Sequence, residues 1–270
     1  MMKSIIAIII LLSGCATTTK NSDSNVSRLQ LLLLPTFMAQ SMSEKAYKES
    51  LKIARDNKKL NVDEKLLSRI KSISYKVIEQ TSVFRDDSIN WNWEINLEES
   101  DEVNAYCMPG GKIMVFSGLV EKMNATDDEI AAILGHEIAH ALREHGRERM
   151  STALVQQIGI LGFAMYLSDT DSSGISKQGI MQGVALGTTL FFALPNSREQ
   201  EREADRIGLE LSARAGYNPM AAVSLWRKMS ELSDTKIPEF LSTHPSNESR
   251  IEDLQKQAKE IKYLYLDARK

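Results

Sequence analysis

Residues 136–140 have the sequence His-Glu-Ile-Ala-His, and this pattern constrains the fold more than any other in the chain. On a helix, residues four apart share a face, so both imidazoles can approach one ion. Zinc accepts neutral imidazole nitrogen and prefers four ligands. Glu137 is offset by about 100° on the same helix. It can therefore act as general base toward the attacking water without binding the ion.

The helix that carries this pattern has a clear predicted start. Thr126 and Glu129 have the spacing of a capping box, and a periodic apolar run follows to about Arg149. A single helix is therefore predicted over residues 126–149. On such a helix His145, five residues after His140, points away from the metal-binding face. We interpret His145 as a structural or surface residue.

A catalytic zinc usually has three protein ligands and a water, so a third ligand is required. A histidine six residues after the second is excluded, because that position is Gly146. A later helix offers three carboxylates as candidates, at Glu199, Glu201 and Glu203. Glu201 and Asp205 share one face, so Glu201 can bind the metal while Asp205 orients a ligand histidine. Spacing alone leaves the choice among the three open.

The remaining patterns predict an α+β fold with a small sheet. Alternating apolar residues predict a half-buried strand over 89–97, and two short apolar runs, 104–107 and 112–116, flank a Pro-Gly-Gly turn typical of a β-hairpin. Helices are predicted over 41–57, 61–80, 197–216, 219–232 and 246–261. Strands lie in the first half and helices dominate the rest, which favours α+β over alternating α/β.

The amino terminus has the pattern of an export signal. Lys3 is followed by an apolar run over 5–12 and then by Leu12-Ser13-Gly14-Cys15. This resembles the lipobox of bacterial lipoproteins, in which the cysteine carries a lipid. The alternative is an ordinary signal peptide with an incidental cysteine. We expect a signal peptide over 1–14, a lipidated Cys15 with a flexible tether over 15–28, and a single domain over 29–270.

Composition limits the other possibilities. With 270 residues, 43% of them hydrophobic, the chain is long enough for a large buried core. A net charge of −3 and no basic stripe argue against nucleic acid as a partner. Cys107 is interpreted as a buried structural thiol.

Two apolar stretches, 154–167 and 180–194, fall short of the roughly 20 residues a membrane span needs. They are interpreted as a packed helical hairpin, with a mobile flap or a membrane-leaning surface as the alternative.

Several segments together resemble one known family. They are Asn104 to Gly111, Ile133 to His140, Glu201-Arg202-Glu203-Ala204-Asp205, and His244-Pro245 with Arg250. These motifs are similar to those of the HExxH zinc metallopeptidase family that includes the CAAX prenyl endopeptidases, HtpX, BepA and LoiP, in particular its small periplasmic lipoprotein branch.

The resemblance implies a zincin-like, mostly helical domain that binds one zinc per chain through His136, His140 and Glu201. It places Asp205 behind the ligands and His244 near the active site, where His244 either stabilises the oxyanion or occupies the fourth zinc position. Arg250 would anchor His244 or bind substrate. The expected partners are polypeptide substrates.

The same resemblance implies endoproteolysis of misfolded or misassembled envelope proteins, on the periplasmic side of a Gram-negative outer membrane. Asn104, Ala105 and Tyr106 are a candidate sheet edge for pairing with an extended substrate. One alternative is a zinc-binding chaperone or assembly factor for outer-membrane proteins with little or latent proteolysis. Another is a structural zinc lipoprotein whose site is closed by His244, although the intact Glu137 argues against it.

Overall fold

The computed structural model describes residues 15–167, 196–233, 239–244 and 248–270. The strands are β1 (Cys15–Ala16), β2 (Gln30–Leu31), β3 (Glu94–Glu98), β4 (Ala105–Met108) and β5 (Lys112–Phe116). The first five helices are α1 (Thr36–Asp56), α2 (Glu64–Ile78), α3 (Ser117–Glu121), α4 (Asp127–Leu142) and α5 (His145–Leu167). The others are α6 (Arg198–Arg214), α7 (Met220–Ser233), α8 (Glu239–Thr243), α9 (Glu248–Glu260) and α10 (Lys262–Asp267). This mostly helical arrangement confirms the predicted α+β class.

The main sheet has three strands in the order β3-β5-β4. β3 is parallel to β5, with Ile95 opposite Ile113, and β4 is antiparallel to β5, with Cys107 also opposite Ile113. β4 is therefore an edge strand of this sheet. The predicted hairpin joins β4 to β5, and Gly110 and Gly111 both adopt positive φ, at 84° and 83°. Such φ values favour glycine, which explains the Gly-Gly turn.

The strand predicted over residues 89–97 is shorter than expected and begins only at Glu94. Ser88–Asn90 forms a 3-10 turn, and the Nε1 atom of Trp93 donates a hydrogen bond to the Ser88 carbonyl at 2.8 Å. Trp91 and Trp93 stack with ring centroids 5.4 Å apart. The apolar alternation before Glu94 thus reflects tryptophan packing, not strand pairing.

Both capping boxes predicted from the sequence are confirmed. The Thr126 hydroxyl accepts from the Glu129 N–H at the start of α4, and Ser197 with Gln200 does the same for α6. The helix expected from residue 61 begins instead at Glu64 and is capped by Asp63. A side-chain cap satisfies backbone N–H groups that have no partner within the helix.

The single helix predicted over 126–149 is wrong, because it breaks into α4 and α5. α4 ends at Leu142, and α5 begins at His145. Between them Glu144 adopts a left-handed conformation with φ 50°. Its carboxylate is held by Arg85, with Oε1 2.7 Å from Arg85 Nη1, and also by Arg147. These ion pairs stabilise a backbone conformation that costs a non-glycine residue about 1–2 kcal/mol.

Residues 15–35 pack along the domain in the structure. The Ser24 N–H donates to Glu210 at 2.7 Å, and the N–H groups of Leu33 and Leu34 donate to the Ser151 hydroxyl. The composition of residues 15–28 favours a flexible tether, yet the segment finds buried acceptors on α5 and α6 that hold it in place. Cys15, the first described residue, is exposed. We call residues 17–34 the N-terminal strap.

Only one of the two apolar stretches predicted to form a hairpin lies within the described residues. Residues 154–167 form the later part of α5, whereas residues 180–194 lie outside the described residues. Within the described part of the chain, every helix is too short or too polar to cross a bilayer.

Candidate active site

The closely packed pair α4 and α6 brings three of the predicted ligands together. His136 and His140 lie on α4 and Glu201 on the first turn of α6, and all three are buried. The two histidine Nε2 atoms are 3.1 Å apart. The Glu201 carboxylate lies 3.4 Å from His136 Nε2 through Oε2 and 3.3 Å from His140 Nε2 through Oε1. The three side chains therefore converge on one point.

His244 also faces this point. It follows α8, its N–H donates to the Phe240 carbonyl at 2.9 Å, and its ring stacks on Phe240 with centroids 4.3 Å apart. Its Nδ1 atom lies 3.2 Å from His136 Nε2 and 3.0 Å from Glu201 Oε1. Its Nε2 atom lies 3.4 Å from Glu137 Oε1, so this placement is compatible with both roles considered for His244, which stay predictions.

The donor set fits zinc. One atom from each of His136, His140, Glu201 and His244 lies within 4.8 Å of the others. The contacts reported above span 3.0 to 3.4 Å and involve both oxygens of Glu201. Imidazole and carboxylate are zinc ligands, and zinc is the cofactor that this cluster implies.

Glu137 lies beside the convergence point without joining it. It is buried, and its Oε1 atom has no hydrogen-bond partner among the described residues, although His244 Nε2 is 3.4 Å away. Burial raises the pKa of Glu137 above its usual value and outweighs the nearby imidazoles. A carboxylate with a raised pKa, next to a metal site, is suited to accept and return a proton.

Asp205 supports the site from behind. Its Oδ1 atom lies 3.0 Å from His136 Nδ1, as expected for a carboxylate that orients a ligand histidine. Arg250 binds the same carboxylate through Nε at 2.7 Å and also approaches Glu201 Oε2 at 2.8 Å through Nη2. Its guanidinium carbon lies 3.7 Å from the centre of the Trp226 ring. These contacts place Arg250 behind the ligands, where it fixes Asp205 and Glu201.

The electrostatics of the metal-free site suit metal binding. Burial raises the pKa of Glu201, but the imidazoles of His244 and His136 outweigh it and hold that pKa well below its usual value. Burial holds the pKa of His140 well below its usual value, so this imidazole stays neutral. For His136, burial lowers the pKa, but Glu201 and Asp205 outweigh it and raise the pKa to about 9.

A cleft opens from the metal site along the edge strand β4. Its lining includes Glu137, His140 and His244, together with residues 104–107. Cys107 is buried there, and burial raises the pKa of its thiol well above the usual value, which disfavours the reactive thiolate. The predicted substrate strand therefore lies beside the predicted metal ligands.

Two features of the site were missed from the sequence. Arg149 and Asn196 also line the cleft and are hydrogen-bonded to each other. His145 was placed on another face of the helix, but its Nδ1 atom lies 2.8 Å from His140 Nδ1. The only local signal was Gly146, a poor helix former directly after the break.

A helix carrying two histidine ligands and a glutamate base, packed against a second helix that supplies a glutamate ligand, defines a zincin-type metallopeptidase site. Residues 64–258 match peptidase family M48, and the chain belongs to this family. The family resemblance inferred from the motifs is thereby confirmed, and its small periplasmic lipoprotein branch stays a prediction.

Several characterised proteins are similar to this chain. The mitochondrial metalloendopeptidase OMA1 of Arabidopsis thaliana is 38% identical over 160 residues, covering 59% of this chain and 30% of the relative. OMA1 of Saccharomyces cerevisiae is 31% identical over 211 residues, covering 73% and 57%. The beta-barrel assembly-enhancing protease of Escherichia coli is 26% identical over 189 residues, covering 67% and 38%. The chain thus spans about a third to just over half the length of these relatives.

Proposed function

We propose that this protein is a zinc-dependent endopeptidase of the bacterial cell envelope that cleaves misfolded or misassembled envelope proteins. The observation that carries the peptidase activity is the position of Glu137, a buried carboxylate with a raised pKa beside the convergence of His136, His140 and Glu201. A purely structural zinc site needs no such base.

Each residue of the site has a distinct role in the proposed peptide hydrolysis. Zinc, when held by His136, His140 and Glu201, supplies Lewis-acid activation of water and of the scissile carbonyl. Glu137 takes a proton from the attacking water and returns it to the leaving amine. Asp205 and Arg250 keep the ligands oriented, because their contacts fix His136 and Glu201.

The edge strand β4 is proposed to hold the substrate. The Phe116 N–H donates to the Asn104 carbonyl, and Tyr106 lies opposite Met114. Backbone groups alternate in direction along an antiparallel strand, so those of Ala105 and Cys107 point away from β5 toward the cleft. There the Ala105 N–H donates to Asn104 Oδ1 at 2.9 Å, and the Cys107 N–H donates to the Glu137 carboxylate. An extended peptide that displaces the Asn104 side chain can pair with the Ala105 backbone irrespective of its own side chains.

The envelope location rests on the amino terminus and on one relative. The sequence before Cys15 has the pattern of a lipoprotein signal, and Cys15 is exposed at the start of the described chain. The Escherichia coli relative is named for beta-barrel assembly. We therefore place the protein on the periplasmic side of the outer membrane, anchored by lipid on Cys15. Labelled palmitate incorporated into wild type but not into Cys15→Ser, with release of that variant from membranes, is the expected result. Equal membrane association of both would overturn the anchor.

The peptidase activity is tested with the purified mature protein and Glu137→Gln. Wild type is expected to bind one zinc per chain and to cleave casein. Glu137→Gln keeps the size of the side chain, so we expect it to bind zinc and fold normally while losing activity by about 10²- to 10⁴-fold. Equal cleavage by the two proteins would overturn the role of Glu137, and absence of zinc would overturn the metal site.

A second candidate function, a zinc-binding chaperone or assembly factor with latent proteolysis, is favoured by one observation. His244 Nδ1 lies where a fourth ligand would bind, and a closed four-ligand site leaves no open position for water. His244→Ala distinguishes the roles of this residue. Faster cleavage than wild type identifies a brake, and slower cleavage identifies a group that assists the reaction. If wild type and His244→Ala both bind zinc but neither cleaves casein, the result supports the chaperone function.

A further inference from the structure

His145 is a fully buried histidine in direct contact with a zinc ligand. Its Nδ1 atom lies 2.8 Å from His140 Nδ1, and its Nε2 atom lies 2.9 Å from Glu203 Oε2. Neither His145 nor Glu203 is among the residues that approach the metal position. The three side chains form one hydrogen-bonded row that leads away from the metal.

The position of hydrogen atoms along this row follows from the metal site. His140 presents Nε2 to His136 and Glu201, so this nitrogen needs a free lone pair to bind zinc. The neutral ring of His140 then carries its proton on Nδ1 and donates it to Nδ1 of His145. His145 in turn carries its proton on Nε2, and the Glu203 carboxylate accepts it. Each donor meets an acceptor, and the row selects the tautomer of His140 that binds zinc.

The backbone break between α4 and α5 is what makes the contact possible. On a continuous helix, five residues correspond to about 500°, which turns the side chain about 140° away from that of His140. The left-handed Glu144, with φ 50°, ends α4 and lets His145 start a new helix beside His140. Arg85 and Arg147 hold the Glu144 carboxylate and so keep this break in place.

Glu203 is itself fixed by two arginines. Arg143, which is fully buried, donates to it from Nη2 at 3.1 Å, and Arg28 of the N-terminal strap donates from Nε at 2.8 Å. Arg28 also binds Glu148 at 2.6 Å. A buried carboxylate that accepts hydrogen bonds from two guanidinium groups has a defined position. It is therefore a strong and well-oriented acceptor for His145.

We propose that His145 is a positioning residue of the zinc site, which orients His140 through its Nδ1 atom and is itself oriented by Glu203 and the strap residue Arg28. Carboxylates and carbonyls are the usual acceptors for the second nitrogen of a ligand histidine. Here the acceptor is the neutral imidazole of His145, and this imidazole donates in turn to the Glu203 carboxylate. The alternative is a buried polar cluster that contributes only to stability.

The experiment compares the zinc affinity of full-length mature protein with that of His145→Leu and His145→Asn, measured by competition with a chelator. Leucine fills the space but has no acceptor for the His140 Nδ1–H, so we expect zinc affinity to fall about 10- to 100-fold. Asparagine restores an acceptor on a similar side chain, so it is expected to recover a large part of the loss. Melting temperatures with and without zinc are measured for every protein.

Ser212→Ala is the matched control. Ser212 is buried on α6, and its hydroxyl donates to the Gly208 carbonyl without touching a ligand. This variant is expected to lower the melting temperature and to keep the zinc affinity of wild type. The proposal is overturned if His145→Leu binds zinc within about twofold of wild type, or if it loses affinity no more than Ser212→Ala does. If His145→Leu does not fold, His145→Phe takes its place, because phenylalanine keeps a ring but also lacks an acceptor for the His140 Nδ1–H, and wild-type zinc affinity in that variant overturns the proposal.

Discussion

Gly135 and Gly208 meet where the two ligand-bearing helices cross. A Cβ atom built on Gly135 would lie 2.6 Å from the Gly208 carbonyl oxygen, and one built on Gly208 would lie 2.6 Å from the His136 backbone nitrogen. No side chain fits at either position without moving a backbone. This close approach places His136 of α4 within reach of Glu201 on α6, and it ties the packing of the helices to the geometry of the metal site.

Gly135→Ala is therefore expected to separate α4 from α6. Overpacking of this kind typically costs about 1–3 kcal/mol of stability. Because the ligands come from both helices, zinc affinity is expected to fall as well. Chemical denaturation and zinc competition on the same samples measure the two effects.

Ala131→Gly is the control for that variant. It lies on the same helix and is buried, and glycine there lowers helix stability by about 1 kcal/mol without adding an atom. We expect it to melt earlier but to bind zinc like wild type. Unchanged zinc affinity in Gly135→Ala would show that the glycine contact does not position the ligands.

Zinc binding is expected to release about one proton per chain at neutral pH. In the metal-free protein the pKa of His136 is about 9, so its imidazole is protonated at pH 7, whereas His140 is already neutral and Glu201 already ionised. Zinc requires neutral imidazole. Since the proton must leave, apparent zinc affinity falls as pH falls below about 9. Calorimetry in buffers of different ionisation enthalpy measures the release, and an identical heat in all buffers would contradict it.

Arg28→Met is expected to destabilise the fold in a pH-dependent way. Burial raises the pKa of Glu148, but hydrogen bonds led by that from Arg28 outweigh it and lower this pKa. A carboxyl group whose pKa is lower in the folded state stabilises the fold at pH values above its unfolded-state pKa, which is near 4.5. This stabilisation is lost as the pH falls through the folded-state pKa. The variant should therefore lose about 1–3 kcal/mol near pH 7 and less toward acidic pH.

Urea denaturation between pH 3 and pH 7 measures this difference. Lys48→Met is the control, because Lys48 pairs with Glu44 at 2.7 Å on an exposed helix surface. Exposed pairs contribute little, so its stability should follow wild type at every pH. A constant deficit of Arg28→Met across the pH range would mean that the strap does not stabilise the ionised Glu148.

Ala105→Pro tests the substrate strand. Proline removes the N–H of Ala105, which points away from β5 and donates to Asn104 Oδ1 at 2.9 Å, and leaves the β4–β5 hydrogen bonds intact. We expect unchanged stability and a casein kcat/KM that falls by roughly tenfold, equivalent to one backbone hydrogen bond. Tyr106→Pro, which breaks a bond to β5, is expected to lower the melting temperature. Wild-type cleavage by a folded Ala105→Pro protein would contradict the proposed pairing.

The sequence by itself determined the local features. The spacing of His136 and His140 placed both on one helix face, the capping boxes at Thr126 and Ser197 marked where helices begin, and Gly110 with Gly111 marked the hairpin. These features depend on interactions within a few residues, so periodicity and composition are enough to predict them. The family motifs added Glu201 and Asp205, which spacing alone left open.

Only the tertiary structure decided the rest. The strap residue Arg28 reaches Glu203 across 175 positions of sequence, and the break at Glu144 depends on an ion pair with the distant Arg85. His145 contacts His140 because of that break, which nothing in the local pattern required. Long-range ion pairs and close backbone contacts arise only when the helices pack together, and a local pattern carries no information about which partners then become neighbours.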